Sequence, residues 1–396
     1  IFAVLFLGWG SNLIGQKDAP TISYIQPEYN IGKLIPNYLD TFPKTTVQQG
    51  LYLSFGRSKT DTNSWARYYN YPSTGIVLHY ANYGNNAVFG HSFGANPYIS
   101  FKVFNKSKAN YRLKMSLGIA YFTNHFDSTD NINNNMIGSP FTWDYKLFLY
   151  RTLVAKENYN INIGFGFSHE SNGHTRMPNM GTNSALFSIT GQFFKDRNNF
   201  FEIPSRLKGR NFSPKQFFVH FRQGYGYHEQ NRTEGPKTGR SLPVYSTSVG
   251  MGYIFNNHIK FRTGFTYKFY EQFNTHLNEV YIPELADNQT WNSSALVWYV
   301  GNEFLMGHVG FDTEVGFNLH KPFYAYYHTS SKIAIRMMRL VATRLGLNLY
   351  LLNTNDNPGH NFFIGANINA NLGKADFTEF SIGYTKVFRR KLTPYY

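Results

Sequence analysis

Tyr159-Asn160-Ile161-Asn162-Ile163-Gly164-Phe165-Gly166-Phe167-Ser168-His169-Glu170-Ser171 is the stretch that decides the fold. Its odd positions are aromatic or aliphatic as far as Phe167, and the even ones are Asn, Gly or Ser as far as Ser168. Side chains of a strand alternate between faces, so a period of two describes a strand with one greasy and one polar side. His169 and Ser171 continue the greasy row. Two residues apart at a strand end, an imidazole and a hydroxyl stand side by side, the spacing a histidine needs to take a proton from a serine nucleophile. Asn183, Ala185, Phe187, Ile189, Gly191 and Phe193 repeat the odd row one hairpin later, which puts Asn183 on the same face. An Asn amide there can hold the imidazole in one tautomer.

The alternation recurs outward from this stretch in both directions. Tyr111, Leu113, Met115, Leu117 and Ile119 oppose Arg112, Lys114, Ser116 and Gly118. Ile259, Phe261, Phe265 and Tyr267 oppose Lys260, Arg262, Gly264 and Lys268. No run of 18 apolar residues occurs in the 396-residue chain, so helical membrane spans are not expected. Yet 37 Phe and 30 Tyr are more than a soluble core needs. A transmembrane β-barrel reconciles the two: its apolar row faces lipid, its polar row faces the lumen, and aromatic girdles mark both interfaces. Inward rows carrying Arg, Lys, Asp and Glu, with Gly between them, suit a lumen in which charges pair.

The fold class expected is therefore all-β, a transmembrane antiparallel barrel. Sixteen candidate strands run from 22–31, the weakest, to 376–388. A single barrel of about 14–16 strands is the principal expectation. Two eight-stranded barrels are the alternative, because the long connection 196–214 splits the chain into halves at 17–195 and 215–388. Short connections at 105–108, 155–156, 256–257 and 304–305 alternate with long ones at 123–139, 172–182, 272–289 and 321–338, as periplasmic turns alternate with outer loops. His169 and Ser171 then fall at the outer leaflet. Residues 1–16 read as the apolar core and end of a secretion signal, with an ordered strand or plug as the alternative.

With no cysteine, neither disulfides nor thiol chemistry is expected. The net charge of +15 calls for an anionic partner. Scattered basic residues and the lack of any nucleic-acid motif favour lipopolysaccharide phosphates over nucleic acid. Asn172, by side chain or N–H, and the Gly173 N–H are the nearest candidates for an oxyanion hole. Arg176 and His174 are candidates for lipid phosphates. His169 and His174 with Glu170 resemble a metal cluster only on paper, since Glu170 has lumen parity; no metal is expected.

His169-Glu170-Ser171-Asn172-Gly173, followed by Pro178-Asn179-Met180-Gly181, resembles the lipid A deacylase family of outer-membrane barrels. That family carries a His-x-Ser-Asn motif on the penultimate strand of an eight-stranded barrel, then an Asn-x-Gly loop. The likeness is specific over roughly 157–195; the rest matches at the level of barrel pattern, like longer, two-half relatives of the deacylases. It implies an outer-membrane serine esterase that removes an acyl chain from lipid A or lipopolysaccharide. The family's acidic triad member would fall at Asn183, where this chain departs from it. The segment also resembles outer-membrane phospholipase A, whose third triad member is Asn. His174 stands where that family carries an Arg, so its calcium is not supported and no cofactor is expected. Phospholipid is the alternative substrate. A non-catalytic barrel, a channel or a subunit of an outer-membrane complex that kept the motif, is the alternative of a different class.

Overall fold

A computed structural model describes residues 21–36, 42–59, 65–104, 110–195, 215–229 and 241–388. The segment 1–16 read as a secretion signal lies outside the described residues, as does the connection 196–214.

The sixteen strands close as two barrels of eight, the second of the two arrangements expected, and not as one barrel of 14–16. The first barrel contains β1 (Thr21–Leu34), β2 (Gln48–Lys59), β3 (Ser73–Asn82), β4 (His91–Val103), β5 (Tyr111–Phe122), β6 (Phe141–Ala155), β7 (Tyr159–Ser171) and β8 (Thr182–Lys195). Every neighbouring pair is antiparallel, and β1 pairs with β8 to close the sheet. The second contains β9 (Gln216–His228), β10 (Leu242–Phe255), β11 (Ile259–Tyr270), β12 (Ser294–Met306), β13 (Val309–His320), β14 (Val341–Tyr350), β15 (His360–Asn371) and β16 (Lys374–Phe388), closed by β16 on β9. Each barrel is a compact unit.

Lumen packing accounts for closure at eight. A barrel of this size has an interior that side chains can just fill, whereas sixteen strands would leave an aqueous channel. In the first barrel Glu28 of β1 accepts from Tyr150 Oη of β6 and Ser188 Oγ of β8, each at 2.8 Å, and lies 3.8 Å from Lys114 Nζ of β5. Lys146 Nζ bridges Asp144 at 2.5 Å and Glu170 at 3.4 Å. The contacts of Glu28 with Tyr150 and Lys114 reach across the lumen, those of Lys146 brace β6 and its neighbour β7, and the buried charges are stable only because each meets an opposite one. Inward glycines make room: a Cβ on Gly166 would stand 2.3 Å from the Phe148 ring. The second lumen is filled by three arginines and their acids. Arg262 meets Asp312 at 2.5 Å and Glu314 at 2.7 Å, Arg222 meets Glu314 at 2.7 Å, and Arg344 meets Asp312 at 2.6 Å and Glu379 at 3.1 Å.

The outward rows are those read from the sequence. Along β7, Tyr159, Ile161 and Phe165 are exposed, and Asn160, Asn162, Ser168 and Glu170 are buried. Phe165, at 65% exposure, points away from the lumen as a lipid-facing side chain should. No helix of the described residues is long and apolar enough to cross a membrane.

Two connections expected as plain loops carry short helices. These are α1 (Glu271–Glu279), α2 (Pro283–Ala286) and α3 (Gln289–Asn292) between β11 and β12, and α4 (Pro322–Tyr327) and α5 (Ile333–Leu340) between β13 and β14. Phe273 of α1 stacks on Phe323 of α4 with ring centroids 4.1 Å apart, capping that end of the second barrel. The turn expected at 304–305 falls at Gly307-His308 instead, where Gly307 takes φ +76°, a left-handed angle glycine adopts without strain.

Candidate active site

The candidate site lies at the C-terminal end of β7 and the start of β8. In the β7–β8 register His169 stands directly opposite Asn183, and Ser171 follows His169 on the same outward face. Cross-strand partners at this range have Cβ atoms about 5 Å apart, so the side chains meet without strain. His169 Nδ1 lies 2.9 Å from Asn183 Oδ1, and His169 Nε2 lies 3.1 Å from Ser171 Oγ. With Nδ1–H donating to the amide oxygen, Nε2 keeps a lone pair that accepts the serine hydroxyl. The three residues singled out in the sequence are thus joined in one hydrogen-bonded line. Ser171 is only 6% exposed, so the hydroxyl is largely screened from bulk water.

Glu170, between them in sequence, points into the lumen. It lies 3.4 Å from Lys146 Nζ and accepts a short hydrogen bond from Thr182 Oγ1, so it is committed to the barrel interior.

The loop after β7 departs from expectation. Asn172 N–H donates to Asn179 Oδ1 at 2.9 Å, and Asn172 Nδ2 donates to the Arg176 carbonyl at 2.6 Å. Both oxyanion donors expected of Asn172 are therefore engaged within the loop. Gly173 and His174 both adopt positive φ, +64° and +67°. The segment Gly173–Thr175 belongs to the second compact unit. Within that unit His174 is buried, its Nε2–H donating to the Glu229 carbonyl at 2.9 Å and its ring stacked on His228 at 4.9 Å. His174 is thus placed as a packed side chain and does not reach a lipid surface as expected. Arg176 is exposed, as a phosphate contact must be.

Two loop residues carry more than the sequence reading gave them. Gly181, at φ +69°, donates its N–H to the Met136 carbonyl at 3.0 Å. A Cβ there would stand 2.9 Å from both Glu170 O and His169 Cε1 and 3.2 Å from Ser171 Cβ. Only glycine lets the loop lie against the imidazole. Asn179 fixes the turn after Ser171 through the Asn172 N–H. The signal for both was the Pro178-Asn179-Met180-Gly181 stretch, read as a resemblance and not as geometry. Trp143 and Tyr145, cross-strand partners of Ser171 and His169, were legible only from the β6–β7 register.

The family model for Lipid A 3-O-deacylase (PagL) matches residues 53–190, and that for the Acyloxyacyl hydrolase, C-terminal domain, matches residues 216–390. The chain belongs to the lipid A deacylase barrel family. Its place is the bacterial outer membrane, and the general activity of this deacylase family is hydrolysis of a lipid acyl ester. Among solved structures the chain is similar to the outer membrane enzyme PagL, at 15% identity over 42% of this chain and 97% of that one, with a TM-score of 0.31. It is also similar to CdiB from Acinetobacter baumannii, at 9% identity over 92% and 60% with a TM-score of 0.16. The siderophore receptor PirA from Pseudomonas aeruginosa gives 8% identity over 95% and 81% with a TM-score of 0.19. A comparison with curated proteins found no match.

Proposed function

We propose that the first barrel is a serine esterase that releases an ester-linked acyl chain from lipid A in the outer leaflet. The observation that carries this reading is the line Asn183–His169–Ser171 on the outward face of the wall, at 2.9 and 3.1 Å. An outward site meets acyl chains where they lie, with no need to draw the lipid into a lumen that is already filled.

Ser171 Oγ attacks the ester carbonyl carbon while its proton passes to His169 Nε2. The tetrahedral intermediate collapses, its C–O bond breaks, and the leaving sugar hydroxyl takes the proton back from His169. Water then attacks the acyl-Ser171 ester by the same route, releasing the fatty acid and regenerating the serine. Asn183 holds the imidazole, and as a neutral group it orients the imidazolium without giving it a counter-charge. Arg176 is placed to meet a lipid phosphate.

Phospholipid is the competing substrate, because Asn183 stands where a deacylase would carry an acid. Free fatty acid release from purified lipid A and from phospholipid, with and without calcium, separates the readings. Release from lipid A by wild type and none by Ser171→Ala is the expected result. Release from phospholipid alone, and only with calcium, selects the phospholipase. Equal background release by both proteins on both substrates leaves a non-catalytic barrel.

A further inference from the structure

Helix α5 has the composition of a core helix and the burial of a surface one. Ile333, Met337 and Leu340 recur at i, i+4 and i+7, a single stripe, yet they are 80%, 40% and 51% exposed. Ile335 and Met338, on the other side of the helix, are half-buried. Lys332, Arg336 and Arg339 flank the exposed stripe along one edge. No acidic residue occurs anywhere in 321–340. Lys321 is spent inside the barrel, 3.1 Å from Asp376, whereas none of the three helix cations is in an ion pair among the described residues.

The position of the helix says what the stripe faces. α5 packs against β13, β14 and β15, and Asn318 Nδ2 donates to the Arg339 carbonyl at 2.9 Å. The helix runs straight into β14, whose Val341 is the cross-strand partner of Phe317. Phe317 and Leu319 are outward and exposed on the wall of β13. The apolar stripe therefore continues the lipid-facing wall at its upper edge, on the end where connections are longest and hence outermost. An apolar face joined to a membrane belt, edged with unpaired cations, is the signature of a helix lying in the interface of an anionic bilayer.

We propose that α5 docks on the lipid A surface of the outer leaflet, with Ile333, Met337 and Leu340 among the acyl chains and Lys332, Arg336 and Arg339 on the phosphates. The second barrel would then anchor to the layer that holds the substrate. This rests on the outer-membrane location of the chain and does not depend on Ser171.

The chain has no cysteine, so an Ile333→Cys variant carries one nitroxide at one place. The full-length protein is reconstituted in zwitterionic vesicles with and without lipid A, and the label's collisions with oxygen and with a water-soluble nickel chelate are compared. Val315→Cys on the lipid-facing wall and Tyr281→Cys on an exposed loop give the two limits. The label at 333 should resemble the Val315 control in lipid A vesicles. Lys332→Gln, Arg336→Gln and Arg339→Gln together should lower the ratio of immersed to exposed label on the order of a hundredfold, from roughly fivefold per cation removed. Heat-modifiable migration on gels confirms that each variant is a folded barrel. A label that stays accessible to the chelate, one immersed equally with and without the three cations, or one shielded from both probes as under a protein partner, overturns the proposal.

Discussion

The two barrels share strand number, antiparallel order and a lumen filled with paired charges, yet their penultimate strands end differently. β7 ends with His169 and Ser171 outward and is followed by the ten-residue connection 172–181. β15 ends with Asn369 and Asn371 inward, followed by the two-residue turn Leu372–Gly373. There the asparagines serve the lumen: Lys268 Nζ donates to Asn369 Oδ1 at 2.9 Å and Lys321 Nζ to Asn371 Oδ1 at 3.0 Å. The barrel supplies a rigid wall, but parity decides whether a polar pair at its rim braces the interior or meets the membrane. A loop long enough to fold back on the pair then finishes the site. Chemistry is therefore expected from the first barrel alone.

The sharpest break of that contrast is His169→Ala. Loss of the base should lower kcat for fatty acid release on the order of 10⁴-fold or more, nearly as much as loss of the serine, because members of such a unit act together. Steady-state rates on lipid A micelles check this. Gly181→Ala comes next: a Cβ in the left-handed region, 2.9 Å from the His169 ring, should displace the imidazole and cost about 10²-fold, with the barrel still folded. A smaller loss, of about tenfold to 10²-fold in kcat, is expected for Asn183→Ala, which frees the imidazole to turn but leaves the base in place. Asn183→Asp should recover activity beyond wild type if the missing counter-charge limits the rate.

The smallest effect on activity should come from the second barrel. Arg262→Ala leaves Asp312 and Glu314 each short of a partner in a closed lumen, and should destabilise that barrel by about 3–5 kcal/mol. Its unfolding, followed by gel migration against temperature, should shift downward while kcat per folded molecule stays unchanged. Loss of fatty acid release in the folded Arg262→Ala protein would show that the second barrel takes part in the reaction.

Much of this was readable before any coordinates. The unbroken odd row from Tyr159 to Ser171 gave the outward face, and antiparallel pairing with the next strand brought Asn183 to His169, because strand parity survives any closure. For the same reason parity could not choose between one barrel and two. That choice was made by contacts far apart in sequence: Glu28 with Tyr150 across the lumen, 122 residues away, and Glu28 with Ser188 on the closing strand β8, 160 residues away. The helices of 271–292 and 322–340 were hidden because pieces of four to nine residues show little periodicity. Asn172 turns its donors to Asn179 and the Arg176 carbonyl inside its own loop, and His174 follows Gly173 in a positive-φ pair that redirects the chain, neither of which a period of two can foretell.

The account's central claim is that one serine in one barrel is the nucleophile. It is tested most directly by treating the detergent-solubilised protein with a long-chain alkyl fluorophosphonate, from which a serine alkoxide displaces fluoride. Peptide mass spectrometry should find one phosphonylated residue, Ser171, with labelling lost in His169→Ala and lipid A deacylation lost in proportion to labelling. Deacylation that persists after Ser171 is fully modified, or an adduct at a serine of the second barrel instead, would contradict it.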